Sequence, residues 1–215
     1  MRRAPNPWDR FYHQQEAPWR GERPVADLVA LAAGGRVLEL GCGNGKLLAP
    51  LAQAGLDVVG LDISWNALRR LDNPHRVLAD AAALPFAPGT FALVLDVHCT
   101  GHLGAKGRAA AHAEQARVLA PGGHLVVERL AADDLRAGQG AAVPEEPGMR
   151  ELQDGRRTHF TTAEALAADV EAAGLQVLDV EVTRRTPRFR DQRVVRESVR
   201  VVAQRPSDEA PSKAS

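Results

Sequence analysis

The sequence predicts an α/β fold in which a doubly wound, mostly parallel sheet of about seven strands ends in an antiparallel hairpin. Three observations support this prediction. Between residues 25 and 130, short apolar runs alternate with segments of helical periodicity, as in repeated strand–helix units. The run at 91–97 is apolar up to Asp96, which is typical of a central strand that is buried on both faces. Two segments near the C-terminus alternate apolar with charged residues and are joined by a short link, so we expect them to pair antiparallel.

Sequence signals at the ends of several elements support their boundaries. Ser64 is placed to cap the helix that follows it, and Thr161 with Glu164 forms a capping box for a helix to about Ala173. Residues 131–158 contain Gly, Pro and mixed charges and are interpreted as a long surface insertion, a feature that often serves as a lid. In chain order, helices are expected at 25–33, 46–55, 65–71, 105–119 and 162–173, and strands at 36–40, 56–62, 75–80, 91–97, 124–130, 175–184 and 193–203.

Length and composition limit the domain organisation and the partners. The 215 residues suffice for one domain with short additions, so we expect an N-terminal aromatic segment at 1–24, the α/β domain at 25–203 and a disordered tail at 204–215. Lys plus Arg and Asp plus Glu both number 27, and this net charge of zero argues against whole-surface attraction to nucleic acid or membranes. Two cysteines exclude a disulfide framework. Without a signal peptide or an apolar run of about 20 residues, we expect a cytoplasmic protein.

The most informative segment is the turn in VLELGCGNGKLL, residues 37–48, where a buried strand containing Glu39 leads into a helix. Glycine at every second position allows positive φ and lets backbone N–H groups approach a ligand beside the helix N-terminus. Two other glycine motifs fail at specific residues. A phosphate-binding P-loop needs Ser or Thr where Leu47 stands, and a dinucleotide fingerprint needs a small residue where Lys46 stands. The glycines are Gly41, Gly43 and Gly45.

This turn resembles the first motif of class I S-adenosylmethionine-dependent methyltransferases. In that family an acid before the turn, here Glu39, holds the amino-acid end of the cofactor, and the turn itself, with Cys42 between its glycines, lies against it. The resemblance extends to acids at the ends of the next two strands. Asp62 stands where a carboxylate accepts the ribose hydroxyls, and Asp80 stands where an acid takes the adenine amine.

Two apolar residues complete the cofactor contacts that the resemblance implies. Ile63 is expected against adenine, and the backbone of Ala81 is expected at the ring edge. The alternative for Ile63 and for Cys42 is ordinary core packing. For the turn as a whole, the alternative is a tight packing turn followed by acids that only cap strands or complement a helix dipole. Five motif matches in the family's order across residues 36–130, ending with FALVLDVHCTGHL and VLAPGGHLVVE, favour the resemblance.

The resemblance implies a Rossmann-like fold, S-adenosylmethionine as cofactor and direct methyl transfer to a small-molecule acceptor. At the end of the fourth strand, Asp96 is expected to fix the cofactor, and His98 and His102 are candidate bases or acceptor-orienting groups. The alternative for both histidines is hydrogen bonding to loop backbone. No second ligand pair accompanies the HCTGH motif, so no metal is expected. His159 and Phe160 are further candidates for the acceptor cavity.

The N-terminal segment concentrates four of the nine aromatic residues of the chain, Trp8, Phe11, Tyr12 and Trp19. It is similar to the aromatic segment that closes over the cofactor in small-molecule branches of the family. Tyr12, Trp19 and Arg20 are the candidates for such a lid, and a structural strap over an apolar face is the alternative.

Two alternative functions remain open at this point. Arginine is dense between residues 184 and 205, so an RNA methyltransferase could hold the RNA backbone with this hairpin, although the alternation there also suits a solvated strand. Residues 96–99 depart from the Asn/Asp-Pro-Pro-aromatic motif of nitrogen-directed nucleic-acid enzymes, which weakens that reading. The second alternative is a protein that binds S-adenosylmethionine without transferring its methyl group.

Overall fold

A computed structural model describes residues 6–15, 23–73, 75–186, 188–189 and 192–207 of the chain. Its helices are α1 (Pro7–Gln14), α2 (Ala26–Ala32), α3 (Leu48–Gln53), α4 (Trp65–Leu68), α5 (Ala105–Val118) and α6 (Ala163–Glu171), with 3₁₀ turns at Thr100–His102 and Leu135–Gly138. Its strands are β1 (Val37–Leu40), β2 (Val58–Asp62), β3 (Arg76–Leu78), β4 (Phe91–Val97), β5 (Leu119–Ala131), β6 (Ala141–Ala142), β7 (Met149–Glu151), β8 (Arg157–Thr161), β9 (Gln176–Arg185), β10 (Arg188–Phe189), β11 (Gln192–Arg193) and β12 (Arg196–Gln204).

The central layer of the sheet has seven strands in the order β3, β2, β1, β4, β5, β12, β9. The first five run parallel to one another, whereas β12 pairs antiparallel with both β5 and β9. The predicted doubly wound sheet with an antiparallel C-terminal hairpin is therefore confirmed. None of the helices in the described ranges is both long and apolar enough to cross a membrane.

Helices cover both faces of this layer because its strands are apolar on both faces. In β4, Leu93 and Leu95 pack with the buried residues of α2, α3 and α4. Val94 points to the other face, where it joins the buried residues of α5 and α6. This alternation follows from the two-residue period of a strand, and it confirms β4 as the central strand.

Residues 131–158 differ from the predicted loop because they contain a 3₁₀ turn and strands β6 and β7, which extend the sheet from β8. Leu130 of β5 pairs with Phe160 of β8 and also with Ser198 of β12. Strand β5 has two edges, and β12 occupies one of them. Strand β8 therefore pairs with the other edge, beyond Val97, where the pairing of β4 with β5 ends. The extension therefore stands above the carboxyl end of β4. Its strands are too short to show a period in the sequence.

Several predicted boundaries were wrong by a few residues: α4, for example, ends at Leu68 rather than at residue 71, and β12 begins at Arg196 rather than at residue 193. Two further differences have a clear cause. The N-cap of α6 is Thr162, whose Oγ1 accepts the N–H of Ala165 at 3.2 Å, while Thr161 still belongs to β8. Strand β5 begins at residue 119 rather than 124, because residues 120–123, which the sequence predicts as a turn, form a bulge within the strand. The partners of β4 jump there by five residues along β5, and Gly122 has φ +75°.

Helix α1 lies on the N-terminal side of α4 and is joined to it by hydrogen bonds. The carboxylate of Asp9 accepts Ser64 Oγ at 2.8 Å and the N–H and Nδ2 of Asn66 at 3.0 and 2.8 Å. Ser64 also caps α4 as predicted, since its Oγ accepts the N–H of Ala67 at 3.2 Å. Residues 16–22, with Trp19 and Arg20, and residues 208–215 of the predicted tail lie outside the described ranges.

Candidate functional site

The carboxyl ends of the parallel strands open into a cavity of about 670 Å³. This lies within the range of about 300–1,000 Å³ that is usual for small-molecule sites, at the sheet edge where ligands bind in open α/β folds. Its walls also include residues of α1 and of the β6–β8 extension. Acids line it at the ends of the first three strands: Glu39, Asp62 and Asp80. Arg23 and Lys46 line it as well, and six more arginines line it from β5 onward: Arg129, Arg136, Arg150, Arg156, Arg157 and Arg196.

Glu39 is a buried carboxylate with an unused oxygen at the cavity wall. Its side chain is 5% exposed, and Oε2 has no hydrogen-bond partner among the described residues. Burial, and next the nearby charge of Asp62, raise the pKa of Glu39 to about 8, although Arg23 and the N–H of Leu48 oppose this. A buried carboxylate oxygen without a donor fits a cationic ligand group such as an ammonium.

The glycine turn needs its glycines for conformation and for space. Gly41 has φ +62°, and a Cβ there would lie 2.7 Å from Sγ of Cys99. Gly41 and Cys42 line the cavity, whereas Gly43 and Gly45 do not. The cofactor contacts of Gly43 and Gly45 stay predictions; both residues have positive φ, which the turn requires. Burial raises the pKa of the Cys42 thiol, which fits the packing alternative for that residue.

Asp62 ties the end of β2 to the glycine turn. Its Oδ2 accepts the N–H of Gly43 at 2.9 Å, and its Oδ1 accepts the N–H of Ser64 at 2.8 Å. Burial raises the pKa of Asp62, while these hydrogen bonds act in the opposite direction. Each carboxylate oxygen keeps a lone pair beyond the one that its N–H bond uses, so Asp62 is able to accept further donors from the cavity.

The other predicted cofactor residues lie in the same wall. Ile63 is 37% exposed and faces the cavity, as do Asp80 and the buried Ala81. Asp80 Oδ1 accepts the N–H of Ala82 at 2.9 Å, which holds the turn after β3. The structure thus brings the three acids and the two apolar residues of the sequence prediction together.

Asp96 does not reach the cavity, which corrects its predicted role at the cofactor. It is fully buried, and its carboxylate accepts the N–H of Thr100 at 3.0 Å, Thr100 Oγ1, and Nε2 of Gln115 at 2.9 Å. Burial alone would raise the pKa of Asp96, but Arg129, His112 and Thr100 hold it below its usual value. The side chain of Asp96 points toward α5 and anchors the turn after β4.

Three histidines, His98, His102 and His159, line the cavity between the acids and the arginines. Burial, the largest cause in each case, lowers their pKa to about 4, so all three are neutral near pH 7. Nδ1 of His98 and of His159 is buried without a hydrogen-bond partner among the described residues. Nδ1 of His102 instead lies 2.5 Å from the carbonyl oxygen of Arg157, as the backbone-bonding alternative expects. His98 also has φ +61°, a left-handed conformation that is rare outside glycine.

Helix α1 covers the cavity with aromatic side chains. Trp8 and the buried Tyr12 line it, and the Trp8 ring lies 4.4 Å from the ring of His102. The guanidinium of Arg156, from the turn between β7 and β8, lies 4.0 Å from the ring centre of Phe11 and 5.1 Å from that of Trp8. Sequence reasoning missed Arg156, since nothing in its local pattern links it to α1.

Several arginines of the C-terminal hairpin have internal partners. Arg200 pairs with Asp27 at 2.5 Å and with Glu128 at 3.7 Å. Arg205 donates to backbone carbonyls at the end of α5 and the start of β5. The structure does not describe the side chains of residues 187–193, and three of these residues are arginines. Within the described ranges, no group of three or more His, Cys, Asp or Glu side chains could hold a metal ion.

Comparison with known proteins identifies relatives of this chain. A family model described as a methyltransferase domain matches residues 11–180. The demethylmenaquinone methyltransferase of Renibacterium salmoninarum is 40% identical over 117 residues, which are 53% of this chain and 48% of that protein. Methyltransferase GfsG of Streptomyces halstedii is 34% identical over 175 residues, which are 74% of this chain and 60% of that protein. The matches thus span about half to three-fifths of the length of these relatives.

Solved structures share the fold at low sequence identity. A SAM-dependent methyltransferase of Methanosarcina mazei has a TM-score of 0.72 at 20% identity and covers 87% of this chain and 100% of that one. The 1,6-didemethyltoxoflavin-N1-methyltransferase of Burkholderia thailandensis was solved with 1,6-didemethyltoxoflavin and S-adenosylhomocysteine. It has a TM-score of 0.70 at 20% identity, with 93% of this chain and 86% of that one covered. Both support the Rossmann-like description of the sheet.

Proposed function

The chain belongs to the class I S-adenosylmethionine-dependent methyltransferases, and from this premise we propose that it transfers the methyl group of S-adenosylmethionine to a small-molecule acceptor. The observation that carries the proposal is the single cavity wall in which Glu39, Asp62 and Asp80 meet beside the glycine turn. When bound, S-adenosylmethionine would supply a methyl group on a positively charged sulfur: an electron pair of the acceptor forms the new bond to the methyl carbon, the carbon–sulfur bond breaks, and S-adenosylhomocysteine leaves.

The residues of this wall suit the separate parts of the cofactor. Oε2 of Glu39 is the partner that an α-ammonium would take, because it is buried and accepts no donor from the described part of the chain. Asp62 is the proposed partner of the ribose hydroxyls, and its own N–H bonds fix the carboxylate before any ligand arrives. Asp80, Ile63 and Ala81 would then surround the adenine. This division follows the family motif and leaves the far end of the cavity for the acceptor.

The chain's contribution to the reaction is mainly orientation and exclusion of water. Trp8 and Tyr12 cover the cavity, and the buried setting that lowers the histidine pKa values also limits solvent at the reacting atoms. A pKa of about 4 makes His98 and His159 weak bases. Their unpartnered Nδ1 atoms therefore suit them to accept a hydrogen bond from the acceptor and orient it.

A cavity of about 670 Å³ supports a small acceptor better than an RNA. The relatives named demethylmenaquinone methyltransferase and 1,6-didemethyltoxoflavin-N1-methyltransferase act, by their names, on small molecules. In addition, Arg200 and Arg205 are engaged with the domain itself, so they are poor candidates for contacts to an RNA backbone. RNA mobility that falls at low salt and recovers at high salt would favour the RNA alternative.

Calorimetry with S-adenosylhomocysteine tests the cofactor site. Replacing Asp62 by Ala should weaken binding by about tenfold or more, because it removes a charged hydrogen-bond acceptor. The matched control is Asp57→Ala, which removes an exposed acid just before β2 whose ion-pair partner among the described residues is Arg36. An Asp62→Ala protein that binds like the wild type would overturn the assignment. Tight binding without methyl transfer to a broad panel of acceptors would instead favour the non-catalytic alternative.

A further inference from the structure

Arg129 is a buried cation with unused hydrogen-bond donors at the cavity. It lies at the carboxyl end of β5 and is 1% exposed. Its Nη2 donates to Thr100 Oγ1 and to Nε2 of His112, the latter at 3.1 Å. Nε and Nη1 have no partner among the described residues, although the side chain lines the cavity.

A purely structural role does not account for these unused donors. The nearest carboxylate oxygen, on Asp96, lies 3.9 Å from Nη2 and already accepts bonds from Thr100 and Gln115. Asp96 thus balances the charge of Arg129 without satisfying Nε or Nη1. A buried donor without a partner destabilises the free protein, so a group that enters the cavity and accepts from these nitrogens would relieve that cost.

The surrounding charges favour an anion at this end. Arg136, Arg156 and Arg157 reach the cavity while paired with acids that lie outside its lining. Arg150 lines the cavity with no carboxylate in ion-pair distance among the described residues. The acids that do line it, by contrast, stand at the ends of the first three strands.

Strand order separates the two ends of the cavity. The acids follow β1, β2 and β3, and Arg129 lies on β5, so β4 stands between them. Since neighbouring strands are about 5 Å apart, the ends of β1 and β5 are about 10 Å apart. His98 and Cys99, at the end of β4, lie in this gap and line the cavity. If the acceptor is anchored at Arg129, a group of the acceptor that lies a few bonds from the anchoring point would therefore stand over the end of β4.

We propose that the methyl acceptor carries an oxyanion, a carboxylate or a phosphate, which binds to Nε and Nη1 of Arg129, with Arg150 as a second cation in the lining of the same cavity. This inference rests on the proposed function, because only a methyltransferase would bind the anion as a methyl acceptor. It adds the substrate class, which neither the family nor its named relatives specify.

Isothermal titration calorimetry with small probes tests this inference on the full-length protein saturated with S-adenosylhomocysteine. Benzoate and phenyl phosphate represent the two oxyanions, and benzamide is the neutral counterpart of benzoate. We expect at least one anion to bind about tenfold or more tightly than benzamide, as a charged hydrogen bond implies. The tighter anion identifies the class. Equal binding of benzoate, phenyl phosphate and benzamide, or no binding of either anion, overturns the inference.

Variants locate the binding. Arg129→Gln should lower the affinity for the anion by about tenfold or more and leave that for benzamide unchanged, while Arg150→Gln should cause a smaller loss. Arg36→Gln, at an exposed ion pair remote from the cavity, is the matched control. An Arg129→Gln protein that unfolds cooperatively and binds the anion like the wild type contradicts the inference. If Arg129→Gln does not fold, Arg150→Gln and the wild-type preference between benzoate and benzamide still decide.

The same titrations separate this inference from the proposed function. Binding of S-adenosylhomocysteine is measured first for every protein. If the wild type fails to bind S-adenosylhomocysteine, the cofactor assignment is wrong. The preference for an anion over benzamide is then measured on the protein without S-adenosylhomocysteine, so it is tested independently. If the wild type binds it and shows no preference for an anion, only the substrate class is wrong.

Discussion

The protonation of Glu39 gives a quantitative prediction for cofactor binding. Its pKa of about 8 means that the carboxyl is mostly protonated at pH 7 in the free protein, whereas an ammonium group binds the ionised form. At pH 7 only about one molecule in eleven has the ionised carboxylate, and at pH 6 about one in a hundred. The apparent affinity scales with this fraction, so binding should strengthen about ninefold from pH 6 to pH 7.

The comparison stays at or below pH 7, where the α-ammonium of the ligand keeps its proton. The lowered pKa values of the cavity histidines, about 4, keep their protonation nearly constant in this window. Binding at pH 7 should also release about 0.9 proton from Glu39, at a cost of about 1.4 kcal/mol in apparent binding free energy. Calorimetry of S-adenosylhomocysteine in two buffers of different ionisation enthalpy measures both quantities.

Glu39→Gln is the control, because the amide has nearly the same size and does not titrate. It should bind more weakly at pH 7 and lose most of the pH dependence. Any slope that remains in this variant reports on Asp62, whose pKa is also raised by burial. A wild-type affinity that changes no more between pH 6 and pH 7 than that of Glu39→Gln would refute the reasoning.

Three further predictions concern the turn, the cover and a helix cap. Gly41→Ala should weaken S-adenosylhomocysteine binding and lower the urea midpoint more than Gly34→Ala does. Both have positive φ, but a Cβ meets Cys99 only at Gly41, so equal midpoints would contradict the steric argument. Arg156→Ala should speed proteolysis of α1, because it removes the cation above Phe11; limited proteolysis followed by mass spectrometry measures this. Thr162→Ala should cost about 1 kcal/mol in urea unfolding, as the loss of an N-cap does.

The acids of the cofactor wall were predictable because strand ends in a parallel sheet meet at one edge. Each of Glu39, Asp62 and Asp80 follows or ends an apolar run, so the sequence pattern alone places them together. Asp96 satisfies the same pattern but turns toward Gln115 of α5. Side chains point alternately to the two faces of a sheet along a strand. An acid that is shifted by one position therefore points to the other face and does not line the cavity.

The acceptor end was not predictable for a different physical reason. The strands β6 and β7 are two and three residues long, so they are too short to show the alternation of apolar and polar residues that marks a strand. The arginines that β7 and β8 bring to the cavity are also separated from Arg129 by more than twenty residues of chain. Arg129 itself, in LVVERL, has the pattern of a strand end that meets solvent. It is enclosed by the pairing of β8 with β5 beyond the end of β4, and by its contacts with Thr100 and His112.

The two ends of the cavity together restrict which atom of the acceptor is methylated. Direct displacement needs an available electron pair on the attacking atom, and hydrogen bonds from a guanidinium hold the lone pairs of an oxyanion. An oxyanion bound at Arg129 is therefore a poor nucleophile, and it lies at β5 rather than over β4. The attacking atom must belong to another group, near the neutral Nδ1 atoms of His98 and His159. The methylated product should accordingly keep its acidic group, and a methyl ester of that group in the product mass spectrum would contradict this assignment.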